Sequence, residues 1–305
     1  MIRRMKNGDM VQPSNLEKDN YQIKEDGIFI SDSQRERYNK IKKATEFNEK
    51  VKHNSKKHGG FTFLRIENAL TEINPATVGR LAYLSTYMEY GNQLLVRSKN
   101  RPMLKNDLPE ILLISRDTAN KFYNESKNVG LIEDRGSGGL YMNEVFFRDQ
   151  TTDKNQIRLY RKTIQQLYKK TFPKYIKNFG YVVQLVSYIN KEWNIISHNP
   201  LEKDSNKVQI MTMKELCEAI DYDYSHISRL NEALFGLAFD WNGRKQALCA
   251  SIEFTTEEGK QKGLIVNPHL VFAGTDFKKV EGYGMFFRPR KTKTIMQYDE
   301  KSETA

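Results

Sequence analysis

The residue pair most typical of catalysis is a histidine and an arginine three positions apart, His226 and Arg229. Tyrosine recombinases use this spacing, with cations around a scissile phosphate and a tyrosine as nucleophile. Tyr283 or Tyr298 would have to be that nucleophile here. The sequence offers no convincing second arginine motif upstream, and the pair falls in a segment with another predicted role. We therefore predict that the chain is not a recombinase.

Other motifs of catalysis or cofactor binding are missing from the sequence. The five histidines are scattered, whereas a metal-dependent relaxase needs a clustered pair beside a tyrosine. Cys217 and Cys249 form neither a zinc-binding CxxC pair nor a disulfide framework. There is no phosphate-binding GxxxxGK[ST] motif and no GxGxxG that opens a helix. The sequence thus predicts no enzyme, no metal and no cofactor.

A different chemistry, hydrogen bonding to DNA, is offered by the segment after Ser115. This serine is a good N-cap, because its hydroxyl can accept from free amides of the first helical turn, and Gly130 ends the helix. The buried side of this predicted helix holds Thr118, Ala119, Phe122 and Tyr123. Its outer side presents Arg116, Asp117, Asn120, Lys121, Asn124 and Lys127. Since arginine and asparagine bind guanine and adenine edges at two points, we expect this helix to enter the major groove.

A second helix of the same kind is predicted to begin at Ser225. Its inward side chains are Ile227, Leu230 and Leu234, and its candidate DNA contacts are Tyr224, Ser225, His226, Ser228 and Arg229. Asp221 and Asp223 lower the positive charge nearby, so we expect this helix to bind DNA more weakly than the first.

Both helices belong to blocks with one order of elements: helix, strand, helix, turn, helix and two strands. The blocks are 60–150 and 179–275, and Thr212 with Glu215 has capping-box spacing in the second. Each block closes on Gly-Leu-x-x-Asn and an apolar strand end, GLYMNEVFF at 139–147 and GLIVNPHLVF at 263–272, which indicates a duplication. We predict an α+β, helix-rich fold of two tandem winged-helix domains joined by a basic helix. Gly136–Gly139 form the turn of the first wing.

The joining segment, 151–178, is rich in cations. Its apolar residues recur at spacings of three and four, which predicts an amphipathic helix over Lys154–Asn178 that Pro173 closes. Binding of this helix to an anionic lipid surface is the alternative. Candidate phosphate contacts here are Arg158, Arg161, Lys162, Lys169 and Lys170, with Arg135, Arg244 and Lys245 near the wings. The flanking segments are predicted to be a polar basic arm, 1–59, and a C-terminal tail, 276–305, of which we expect Arg288–Ala305 to be frayed.

Overall charge supports an anionic partner. The 305 residues contain 49 Lys and Arg against 38 Asp and Glu, giving a net charge of +11 and a pI near 9.3. Such a balance favours nucleic acid or an anionic membrane surface over neutral partners. The sequence has no apolar run long enough for a membrane span and no signal-peptide pattern, so we expect a cytoplasmic protein.

The segment GLIVNPHLVFAG, 263–274, resembles the strand ending of RepL-type replication proteins of Firmicute plasmids and phages. The two-block layout also resembles plasmid and phage initiators with paired winged domains, and the segment fits MarR-like phage regulators. The first block departs from the pattern, with Glu144 where the second has Pro268. The resemblance implies a double-stranded DNA partner, and a replication helicase or its loader for an initiator.

Three roles remain open at this stage. A replication initiator should bind directly repeated origin sites, whereas a transcriptional regulator should bind a promoter palindrome, usually as a homodimer. A protein-interaction module is the third interpretation, because winged helices also serve that purpose. The sequence leaves the DNA site, the oligomeric state and any effector undetermined.

Overall fold

A computed structural model describes residues 59–65, 70–97, 101–148, 156–256, 259–274 and 277–298, with short pieces between residues 3 and 42. The chain divides into two compact units, Met1–Lys57 and His58–Ala305. In the first unit, strand β1 (Arg3–Arg4) pairs with β2 (Met10–Val11), β3 (Tyr21–Ile23) pairs with β4 (Phe29–Ser31), and residues 36–42 are helical. The rest of the predicted basic arm lies outside the described residues.

The second unit contains helices and small antiparallel sheets in two successive halves, so the α+β class is confirmed. The first half contains β5 (Phe61–Arg65), α1 (Pro75–Leu84), α2 (Leu108–Leu112), α3 (Arg116–Asn128), β6 (Ile132–Asp134), β7 (Leu140–Met142) and β8 (Phe146–Phe147). The second half contains β9 (Gln156–Tyr160), α4 (Arg161–Lys170), α5 (Ile176–Gln184), α6 (Met213–Ala219), α7 (Ile227–Gly236), β10 (Ala238–Trp241), β11 (Arg244–Ala247), β12 (Cys249–Thr256), β13 (Gly259–Val266), β14 (Val271–Phe272) and α8 (Lys278–Glu281). Among the helices described, none is long and apolar enough to cross a membrane.

Two predicted helix caps are confirmed. The Ser115 hydroxyl accepts a hydrogen bond from the Thr118 amide at 3.3 Å, at the start of α3. At the start of α6, the Thr212 hydroxyl accepts from the Glu215 amide at 3.3 Å, and the Thr212 amide donates to the Glu215 carboxylate at 2.7 Å. These bonds satisfy amides of the first turn that have no partner within the helix.

A four-stranded antiparallel sheet in the order β14-β9-β5-β8 joins the two halves. Its central pair aligns Phe63 with Arg158 and Leu64 with Ile157. The prediction of one helix over Lys154–Asn178 is therefore wrong at its beginning. Ile157 and Leu159, which are fully buried, alternate with Arg158, and pairing with β5 selects this two-residue period over the helical one.

Helices α1 and α5 pack against each other at closely approaching backbones. Each has glycine at its fifth position, Gly79 and Gly180. A Cβ atom on Gly180 would lie 1.7 Å from the Pro75 carbonyl oxygen, and one on Gly79 would lie 2.8 Å from that of Ile176. Buried side chains of both halves belong to one hydrophobic core, so the halves pack as one body.

The Gly-Leu-x-x-Asn match corresponds to the same local structure in both halves. The Asn143 amide donates to the Leu131 carbonyl at 3.0 Å and its side chain to Gly130 at 2.6 Å. The Asn267 amide donates to the Leu248 carbonyl at 2.9 Å and its side chain to the Ala247 carbonyl, also at 2.9 Å. The short sequence match therefore marks a repeated hydrogen-bonding arrangement.

The second half has an additional hairpin, β10–β11, between α7 and the long hairpin β12–β13. Its turn is Asn242-Gly243, whose φ angles of 51° and 73° suit the tight turn that asparagine-glycine pairs favour. Residues 246–255 consequently belong to two hairpins, because β11 ends at Ala247 and β12 begins at Cys249.

The predicted fraying of Arg288–Ala305 is wrong for residues 288–298. Phe287 is fully buried and Met296 nearly so. The Arg290 amide donates to the Phe235 carbonyl and the Tyr298 amide to the Lys170 carbonyl, both at 2.8 Å. We call residues 287–298 the C-terminal strap, because they cross from α7 to the end of α4. Two well-spaced apolar anchors fix this otherwise polar segment.

Candidate nucleic-acid interface

Helix α3 presents its predicted polar residues on one side, because its other side packs into the core. Ala119, Phe122 and Tyr123 are buried, as predicted, whereas Thr118 is half-buried. A left-handed residue, Leu113 with φ of 54°, makes the turn from α2 into α3. The outward residues are exposed except for half-buried Asn120: Arg116, Asp117, Asn120, Lys121, Asn124 and Lys127. The first candidate set thus shares one helix face.

Tyr123 ties α3 to the neighbouring hairpin. Its hydroxyl donates to the Asp134 carboxylate at 2.6 Å. This hydrogen bond raises the pKa of Tyr123 to about 12 and lowers the pKa of Asp134. The ammonium groups of Lys105 and Lys127 lie 4.4 Å and 5.8 Å from the centre of the Tyr123 ring. Two lysine ammonium groups consequently lie beside the α3–β6 contact.

The β6–β7 hairpin carries its predicted contact residue, Arg135, at its turn. The guanidinium forms two hydrogen bonds with Glu133, at 2.9 Å and 2.8 Å, and lies 4.0 Å from the centre of the Tyr141 ring. Gly136 and Gly139 have φ angles of 61° and 97°, which confirms their predicted role in the turn. Arg135 is exposed, but Glu133 compensates part of its charge.

The second candidate set also lies on an exposed surface, although its helix begins later than predicted. The predicted cap at Ser225 is wrong: Asp223 accepts from the Ser225 amide at 2.8 Å and begins a short 3-10 turn, and α7 follows from Ile227. The N-cap of this 3-10 turn is therefore Asp223, two residues before the predicted Ser225. Five exposed residues follow Asp223: Tyr224, Ser225, His226, Ser228 and Arg229.

The environment of this set is less positive than that of α3. His226 Nδ1 lies 3.4 Å from the Asp223 carboxylate, whose pKa is lowered by hydrogen bonds from Ser225. Asp221, at the preceding turn, is exposed with φ of 50°. The predicted inward residues Leu230 and Leu234 are fully buried, and Ile227 is partly buried against the core.

The cations predicted for the joining helix occupy different environments. The Arg158 guanidinium lies among the rings of Phe61, Phe63 and Phe272 and donates to the Gly274 carbonyl, and burial lowers its pKa.

Arg161 donates to the Thr86 carbonyl at 2.8 Å, and burial lowers its pKa to about 10. Lys170 forms an ion pair with Asp240. Only Lys162 and Lys169 of the five predicted cations are exposed on α4.

Arg244 and Lys245 are exposed on the additional hairpin, where they pair with Trp241 and Asp240 across the strands. Sequence reasoning missed the neighbouring cations, which are all exposed on the C-terminal strap: Arg288, Arg290, Lys291 and Lys293. The basic run RPRKTK at 288–293 is the sequence signal for them, but a frayed tail was predicted there instead of a DNA contact.

The two tyrosines considered as recombinase nucleophiles pack against aromatic or apolar side chains. Tyr283 is half-buried against apolar side chains. The centre of the Tyr298 ring lies 4.2 Å from that of Phe172. His226 and Arg229 are exposed on the segment that begins α7. Within the described part of the chain, no group of three or more His, Cys, Asp or Glu side chains could hold a metal ion. Cys217 is buried, which raises its pKa to about 11.

Comparison with known protein families, with curated proteins and with solved structures finds no match for this chain.

Proposed function

We propose that the protein binds double-stranded DNA sequence-specifically through two winged helices, one in each half. The arrangement of α2, a turn, α3 and the β6–β7 hairpin is repeated by α6, a turn, α7 and the β12–β13 hairpin. In each case the later helix packs by its apolar side and exposes polar residues. A helix about 10–12 Å across fits a major groove about 12 Å wide.

The observation that carries the proposal is the outer face of α3. Arg116 and Lys121 are exposed and form no ion pair with another described residue. Asn120 and Asn124 lie on the same face, so amide and guanidinium donors stand together on a rigid helix. Such groups read base edges, while Lys121 and Lys127 are suited to neighbouring phosphates.

One chain presents two such helices, because the shared sheet and the α1–α5 contact hold both halves in one compact unit. We propose that α3 and α7 bind successive major grooves, about 34–36 Å or ten base pairs apart. Binding by one helix then raises the effective concentration of the second at its own groove.

The biological role we propose is initiation of replication at repeated origin sites of a plasmid or phage. The RepL-type resemblance of 263–274 supports this role, and a replication helicase or its loader would be the further partner. A transcriptional regulator, acting as a homodimer on a palindrome, is the alternative. A footprint of the full chain on the DNA of its own replicon separates them: direct repeats support the initiator, and a promoter palindrome overturns it.

The experiment that tests DNA reading compares two classes of variant. Arg116→Ala or Asn120→Ala should weaken binding to the footprinted site by about 1–3 kcal/mol and binding to random duplex far less, since base contacts carry the sequence information. Lys162→Gln with Lys169→Gln should weaken both alike, because phosphate contacts carry none. Equal losses on both DNAs in the first class would mean that α3 does not read bases. Absence of duplex binding at about 50 mM salt would overturn the proposal and favour a protein-interaction module.

A further inference from the structure

The C-terminal strap runs along the end of α7 as a fixed part of the second half. The Ala247 amide donates to the Phe287 carbonyl, and the Arg290 amide to the Phe235 carbonyl, both at 2.8 Å. Farther along, the Thr294 amide donates to the Glu232 carboxylate at 2.8 Å. Main-chain atoms at successive points therefore determine its path.

Side chains at both ends secure this path. Phe287 is fully buried in a cluster with Ala250 and Ile265. The Gln297 side chain accepts from the Ala238 amide at 3.0 Å and donates to the Ala238 carbonyl at 2.8 Å. A Cβ on Gly236 would lie 2.0 Å from the Thr292 methyl group, so glycine permits this close approach. These contacts offset the conformational entropy lost by ordering the strap backbone, so the strap is already ordered in the folded protein.

Between these anchors the strap carries Arg288, Arg290, Lys291 and Lys293, all exposed and none in an ion pair with another described residue. Lys245 lines the same groove as Thr292 and Ile295, which places the β10–β11 hairpin beside the strap. We call the four strap cations together with Arg244 and Lys245 the basic strap surface.

Two described carboxylates beside this region have other partners. Asp240 binds the Lys170 ammonium. Glu232 accepts the backbone amide of Thr294. The Arg290 guanidinium lies 4.2 Å from the centre of the Phe235 ring, which orients it without neutralising its charge. The exposed cations of the strap and of the β10–β11 hairpin therefore lie near the C-terminal end of α7. The proposed base contacts lie at the N-terminal end of the same helix.

We propose that the basic strap surface binds the phosphate backbone of the duplex that flanks the groove occupied by α7. The inference rests on the proposed function and extends it to a contact outside the two winged helices. The six residues 288–293 span at most about 20 Å when extended. Over that length duplex DNA offers roughly one negative charge per 1.7 Å of axis, so long cationic side chains in different rotamers meet phosphates without a defined pocket. Because such contacts need no defined pocket, they favour the closely spaced phosphates of a duplex as the partner. An acidic protein would need carboxylates placed opposite individual cations of the strap.

The test replaces Arg288, Arg290, Lys291 and Lys293 by Gln in the full chain and measures duplex affinity against salt. Each lost phosphate contact should make the slope of log K against log salt shallower by about 0.9, so loss of two to four contacts reduces it by roughly 2–4. Affinity for the footprinted site and for random duplex should fall by the same factor.

Two matched variants make the result specific. Lys291→Gln with Lys293→Gln avoids the packed Arg290 and should reduce the slope by about 1–2. Lys203→Gln with Lys207→Gln removes exposed lysines of another loop and should leave the slope unchanged. A footprint shortened on the α7 side in both strap variants would support the assignment.

An unchanged slope in strap variants that still discriminate the footprinted site would overturn the strap inference alone, and would point to a different partner for these cations. Failure of the unaltered chain to bind duplex would overturn the proposed function and the inference together. An unchanged thermal unfolding midpoint in the strap variants would show that lost affinity comes from charge.

Discussion

Gly180→Ala tests the contact that holds the two halves together. The added Cβ would lie 1.7 Å from the Pro75 carbonyl oxygen and 2.5 Å from the carbonyl carbon, so α1 would have to retreat by about 1.7 Å to reach the 3.4 Å where ordinary contact begins. Helix propensity alone favours alanine by about 1 kcal/mol. Overpacking costs about 1–3 kcal/mol, and backbone atoms cannot escape by a side-chain rotation, so the upper end applies. We expect a net destabilisation of about 2 kcal/mol.

Urea unfolding of the variant and the unaltered chain measures this difference as a lower midpoint at constant slope. Gly282→Ala is the matched control, because among the described residues no atom beyond its immediate chain neighbours lies within 4 Å of its added Cβ, and its φ is −65°. The control should be neutral or stabilising by up to about 1 kcal/mol. A Gly180→Ala protein as stable as this control would refute the close approach of α1 and α5.

Of three further predictions, two concern hydrogen-bonding side chains and one concerns a pair of lysines. Asn267→Ala should destabilise the fold by about 1–3 kcal/mol in thermal unfolding, because it leaves the buried Ala247 carbonyl and Gln246 side chain without their donor, whereas Asn143→Ala, at an exposed site, should cost less. Tyr123→Phe should cost about 1 kcal/mol at neutral pH. Since the folded pKa of Asp134 is depressed, that contribution is complete above the unfolded value of about 3.9 and is lost as the pH falls through the folded value, so a difference that persists undiminished in acid would contradict the assignment. Lys162→Gln with Lys169→Gln should make the salt slope of duplex binding shallower by about 2, and no change would remove α4 from the interface.

Sequence patterns within a few residues correctly predicted the caps, the apolar helix side and the turn that depend on short-range interactions. The Ser115 cap, the apolar side of α3 and the glycines of the β6–β7 turn all depend on residues within a few positions of one another. The same is true of the capping box of Thr212 with Glu215. In each case a side chain satisfies a nearby amide or a glycine accepts a positive φ, so the sequence pattern and the structure agree.

The errors occur where the partner lies far along the chain. The apolar residues of 154–164 match both a helical and a two-residue period, and pairing with Phe61–Arg65 makes Gln156–Tyr160 a strand. The strap looks polar because its anchors, Phe287 and Met296, are nine positions apart and their pockets are built by other elements. Spacing within one segment contains no information about these long-range contacts.

Under the proposed function, the additions to the second half would give helices α3 and α7 different tasks. Helix α7 lies beside Asp221 and Asp223, which repel phosphates, yet its far end carries the β10–β11 hairpin and the C-terminal strap with six exposed cations. The turn before α3, residues 113–115, contains no acidic residue. The cations of α3 lie on the same outward face as its proposed base contacts. Base contacts confer specificity and phosphate contacts confer affinity. If the chain binds DNA as proposed, we expect the first half to contribute most of the sequence discrimination and the second half to contribute mainly charge-dependent affinity. In that proposed complex, the close α1–α5 contact would keep the helix of base contacts and the cationic second half in one unit, so that binding by one favours binding by the other.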